Sequence, residues 1–127
     1  MAKKVLITED EFYMNALLIQ ILETAFEDYI DNEELEILEA TDGDEGLQIA
    51  KQECPDLISF DVMIPKKDGF EVCQKIKEAP GLKYSYIIML TAKGQVVDKE
   101  KGLLVGANEY ATKPFNPDFI ILKVEKN

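Results

Sequence analysis

Three apolar runs in this chain each close on a reactive polar side chain: Val5 to Thr8 leads into Glu9 and Asp10, Leu57 to Phe60 into Asp61, and Tyr86 to Leu90 into Thr91. A lysine, Lys113, follows a fourth short run. Carboxylates, a hydroxyl and an ammonium together suit a divalent cation with a phosphoryl group. Mg²⁺ prefers near-octahedral oxygen ligands and keeps several waters, so a few carboxylates form a sufficient cradle. Three acids a few ångströms apart repel, which raises the pKa of at least one until a cation or a lysine compensates.

These groups converge only if the runs are parallel strands whose carboxyl ends share one sheet edge, the place where open α/β proteins hold ligands. Strand-like and helix-like segments alternate throughout, which argues for an α/β sheet with crossover helices. Strands are expected at Val5 to Thr8, Leu35 to Ala40, Leu57 to Asp61, Tyr86 to Thr91 and Glu109 to Thr112. Leu17, Leu18, Ile21, Leu22, Ala25 and Phe26 recur at helical spacing and mark one apolar stripe. Leu47 and Ala50 form the inner face of a short second helix, preceded by Asp42 and Gly43 read as a turn. Phe70, Cys73 and Ile76 mark a third helix capped by Asp68, Val96 to Val105 a fourth, and Pro117 opens the last. Glu27 to Glu34 is about twice the length of a common αβ connection, either extra helix or loop. The count is five βα units in one domain spanning 1–127, with right-handed crossovers covering both faces of the sheet.

Composition narrows the function. The formal charge is −11 and all 14 basic residues are lysine, so bidentate arginine contacts to phosphate or guanine are absent and no nucleic acid binding by this chain is expected. With no histidine, and two cysteines lacking ligand spacing, a zinc site is excluded. Cys54 is placed near a helix end and Cys73 on a helix, both reduced. No apolar stretch approaches a membrane span and no signal segment precedes the first strand, so the expectation is a soluble cytoplasmic protein.

The motifs that carry a family likeness are Thr8 Glu9 Asp10 Glu11, Asp61 Val62 Met63 Ile64 Pro65 with Asp68 Gly69 Phe70, Leu90 Thr91 Ala92, and Tyr110 Ala111 Thr112 Lys113 Pro114 Phe115. In this order, at these strand ends, they resemble the receiver domain of two-component response regulators over essentially the whole chain. The resemblance implies a doubly wound, flavodoxin-like five-stranded parallel sheet of order 2-1-3-4-5. It makes Asp61 the phosphoacceptor and gives Mg²⁺ to Glu9, Asp10, Asp61 and the backbone carbonyl of Met63. Thr91 and Lys113 then contact the phosphoryl oxygens, and Thr91 with Tyr110 forms the switch. The donor is a histidine kinase or a histidine phosphotransfer protein. The output is a surface made by the fourth helix, fifth strand and last helix and read by a downstream protein.

On the residues alone, bland readings stay open: Glu11 as a turn residue, Thr91 as a β-branched strand residue, Lys113 as a surface lysine, and Tyr110 as core. A haloacid-dehalogenase type phosphohydrolase is a distant alternative, because it needs a second acid where Met63 stands. An FMN-binding flavodoxin is weaker, because Glu9, Asp10 and Glu11 would repel its phosphate. The expectation is a signalling switch and no metabolic enzyme, with only self-catalysed phosphoryl transfer and slow autodephosphorylation. The acidic surface and missing arginines favour a stand-alone monomer, with a phosphorylation-dependent dimer as the alternative; the rival to the stand-alone reading is the receiver portion of a longer transcription factor or output enzyme.

Overall fold

A computed structural model describes residues 2–9, 11–61, 69–92, 106–113 and 117–127, with Asp61, Thr91, Thr112 and Lys113 placed by strand position and register. The elements run β1 (Lys3–Thr8), α1 (Phe12–Ala25), α2 (Glu27–Asp31), β2 (Leu35–Ala40), α3 (Gly43–Glu53), β3 (Leu57–Asp61), α4 (Gly69–Glu78), β4 (Tyr86–Ala92), β5 (Glu109–Lys113) and α5 (Pro117–Lys126). The five strands are parallel and ordered β2-β1-β3-β4-β5. Every carboxyl end therefore lies on one edge, and the order reverses between β1 and β3, the switch point of a doubly wound sheet.

Strand alternation divides the core in two. Leu6, Ile58, Phe60, Ile87 and Met89 face one way and pack with Leu47, Ala50, Phe70, Cys73 and Ile76 of α3 and α4. Val5, Ile7, Leu57, Ile88 and Leu90 face the other way and pack with Leu18 and Leu22 of α1 and with Ile120 and Val124 of α5. The three inner strands are apolar on both faces, as a sheet covered on both sides requires.

Two local expectations change, and one left open is settled. Asp42 and Gly43 do not form a free turn: Asp42 is the N-cap of α3, its carboxylate accepts from Glu45 N–H at 2.8 Å, and Gly43 is the first helical residue. Glu45 reaches back to accept from Thr41 N–H at 2.8 Å, so acids satisfy the orphan donors at both ends of that turn. Leu17 and Ala25 leave the apolar stripe: Leu18, Leu22 and Phe26 are buried, whereas Leu17 is 49% exposed and Ala25 is exposed too. The long connection after α1 resolves into extra helix, the single turn and a half of α2. Val96 to Val105 and the helix cap expected at Asp68 lie outside the described residues.

Candidate functional site

Register sets the site. Asp61 pairs with Leu90 on β4, Thr91 with Thr112, and Ala92 with Lys113. Thr8 pairs with Phe60, so Glu9 follows β1 at the level of Asp61 on β3. With strands about 4.8 Å apart and about 3.3 Å of rise per residue, the Glu9 and Asp61 backbones are about 5 Å apart and Thr91 is about 6 Å from Asp61. Lys113 lies two strands over and two residues higher, about 12 Å from Asp61 between backbones. Lys113 does not follow the fifth strand, as the sequence suggested; it is the last residue of β5.

Glu9 is 1% exposed. Its backbone N–H donates to Ala40 O at 3.0 Å, which fastens the chain to β2 just past the strand end. Its Oε2 accepts from Glu11 N–H at 3.2 Å. Glu11 resolves in favour of a structural role: it is the N-cap of α1, accepting from Tyr13 N–H at 3.1 Å and Met14 N–H at 3.2 Å. Thus the turn that carries the acids is built by the acids on either side of Asp10, which itself lies outside the described residues.

Asn15, one turn into α1, was not anticipated. It is 9% exposed and its Nδ2 donates to Glu39 Oε1 on β2 at 3.1 Å. A signal existed in the sequence: Asn15 stands three residues before Leu18 and seven before Leu22, a polar residue on the buried stripe. On the other face of the sheet, Tyr110 is half-buried, pairs with Met89 and packs against the cluster of Phe60 and Met89. Gly46 of α3 approaches β1 so closely that a Cβ there would lie 2.9 Å from Thr8 Oγ1.

The donor chemistry at this edge fits Mg²⁺. Glu9 is a buried carboxylate level with Asp61, both are hard oxygen donors, and burial makes compensating charge valuable. Among the described residues no three acidic or thiol side chains gather closely enough to hold a metal ion; Asp10 and Met63 lie outside them.

Residues 5–125 match the response regulator receiver domain family. Over 125 residues the chain is 42% identical to the alkaline phosphatase synthesis transcriptional regulatory protein PhoP of Bacillus subtilis, an overlap of 98% of this chain and 48% of PhoP. The chain thus spans about half the length of the curated relatives it matches. Among solved structures, the chemotaxis response regulator CheY4 of Vibrio cholerae superposes with a TM-score of 0.82 at 28% identity, covering 99% of this chain and 98% of that one. The receiver domain of a sensor histidine kinase from Pseudomonas aeruginosa, with a magnesium ion coordinated in its active site cleft, shares the fold with a TM-score of 0.83 at 22% identity, covering 99% and 97%. With the family matched along nearly its whole length and the sheet order it requires in place, the chain belongs to the receiver domains of two-component response regulators.

Proposed function

We propose that this chain is a single-domain phosphorylation switch, 1–127, that accepts a phosphoryl group on Asp61 from the phosphohistidine of a kinase or phosphotransfer protein. The observation that supports the reading is the register: Asp61 ends the strand next to the one that buried Glu9 follows, with Thr91 one strand away on the other side and Lys113 two strands away. An Asp61 carboxylate oxygen attacks phosphorus in line, the P–N bond to the imidazole breaks, and the leaving nitrogen takes a proton from solvent. Glu9, Asp10, Asp61 and the Met63 carbonyl are the residues to hold Mg²⁺, which supplies charge neutralisation between the incoming phosphoryl oxygens and the acids. Lys113 screens the phosphoryl charge, and the Thr91 hydroxyl donates to one of its oxygens. No substrate is turned over apart from the slow loss of the protein's own phosphoryl group, and the compartment this implies is the cytoplasm.

The output surface is segment 96–105 with β5 and α5, read by a protein partner once Thr91 and Tyr110 rearrange. A second reading of the same chemistry is favoured by the relatives. The transcriptional regulators PhoP and ycf27 of Guillardia theta match this chain over 48% and 41% of their lengths, which fits the receiver portion of a longer regulator. The test of the shared chemistry is incubation of the purified chain with acetyl phosphate. Labelling that is lost on metal chelation, on Asp61→Asn and on hydroxylamine treatment supports it; metal-independent or hydroxylamine-stable labelling contradicts it.

A further inference from the structure

We propose that Asn15 is a positioning residue for the acidic turn, tying the first turn of α1 to Glu39 so that Glu9 is held at the level of Asp61. The inference rests on the reading that Glu9, Asp10 and Asp61 hold Mg²⁺. Asn15 sits where the helix otherwise buries Leu18 and Leu22, and a leucine there would add apolar burial without a polar cost. The amide is instead only half satisfied: Nδ2 donates to Glu39 Oε1, while Oδ1 is buried with no hydrogen bond among the described residues. A buried acceptor without a partner costs stability, so the amide is poorly explained as packing.

Its connections point to the turn. Asn15 N–H donates to Glu11 O at 3.0 Å, Glu11 caps the same helix, and Glu11 N–H donates to Glu9 Oε2. Glu39 is in register with Ile7, two residues before Glu9, and by strand alternation it lies on the α1 face of the sheet. One linkage therefore runs from the β2 edge through Asn15 and Glu11 to Glu9. A neutral amide suits the task, because a lysine tied to Glu39 would bring a competing cation to a site meant for a metal.

The test is a Mg²⁺ titration of the full chain followed by amide chemical shifts, with urea melts of the metal-free protein. Asn15→Leu and Glu39→Ala are each expected to weaken Mg²⁺ binding about tenfold, in the range for residues that orient ligands. Glu39→Gln, which keeps an acceptor, stays close to wild type, and Asn15→Leu with Glu39→Ala is no weaker than either alone because both cut one linkage. Metal-free Asn15→Leu melts at the same or a higher urea concentration, which separates positioning from folding. Glu39→Ala, on the exposed edge strand, tests the tie without touching the core. Wild-type affinity in both single variants, or losses that add in the double variant, overturns this inference alone. Failure of wild type to bind Mg²⁺ overturns the parent reading together with it.

Discussion

Thr91 and Tyr110 stand on the same face of the sheet on neighbouring strands: Tyr110 is registered with Met89, two residues before Thr91, which puts the two backbones roughly 8 Å apart on the diagonal. In the proposed switch, a Thr91 hydroxyl drawn toward a phosphoryl group on Asp61 would leave room for the half-buried Tyr110 ring. One or two charge-assisted hydrogen bonds, worth about 1.5–3 kcal/mol each, shift such a two-state balance by about tenfold or more. With beryllofluoride as phosphoryl mimic, wild type should show NMR shifts spreading from Thr91 through 96–105 to Tyr110. Thr91→Ala should bind the mimic and keep its shifts local. Equal spreading in both proteins rules the threonine out as the carrier.

Gly46 offers a test of how tightly α3 closes on the site edge. Alanine is ordinarily the better helix residue by about 1 kcal/mol. Here the added Cβ would meet Thr8 Oγ1 at 2.9 Å and Thr8 Cγ2 at 3.1 Å on a strand flanked on both sides. Gly46→Ala should therefore destabilise, by about 1–3 kcal/mol in a urea melt, the range for overpacking. A stabilised variant would show that Thr8 moves aside freely.

The strands were legible because their apolar runs are short and bounded, and their reactive ends because an acid closing such a run is unusual. Helix faces were less so. A stripe written as Leu17, Leu18, Ile21, Leu22, Ala25 and Phe26 spans more arc than one contact buries, and only packing shows that Leu17 and Ala25 fall outside. Asp42 and Gly43 carry a turn's dipeptide, yet Glu45 three residues later is the capping signal that decides the case. Asn15 escaped notice because a neutral amide announces no chemistry; its place on the apolar stripe was the clue. Of the expected site, Glu9, Asp61, Thr91, Lys113 and Tyr110 fall at one strand edge or on the face beneath it, while Asp10 and Met63 lie outside the described residues.

The two cysteines should separate in reactivity. Burial pushes the Cys73 thiol up from 9.0 to about 12, partly offset by Lys77, whereas Cys54 is exposed at the left-handed C-cap of α3. Near pH 8 a thiol reagent should label Cys54 at once and Cys73 only on unfolding. Because the folded value lies above the unfolded one, the native state holds the proton more tightly. Stability from this group is thus complete below pH 9 and lost as pH rises toward 12. Urea midpoints of Cys73→Ala and wild type should converge across that interval; a constant difference contradicts the assignment.

The most direct test concerns the atom that takes the phosphoryl group. The chain is labelled with acetyl phosphate and Mg²⁺, reduced with borohydride, which converts an acyl phosphate of aspartate to homoserine, and digested for mass spectrometry. The account predicts homoserine at position 61 alone, dependent on Mg²⁺ and lost when Asp10 is replaced by asparagine. Homoserine at another acid, or none in protein that carries label, contradicts it.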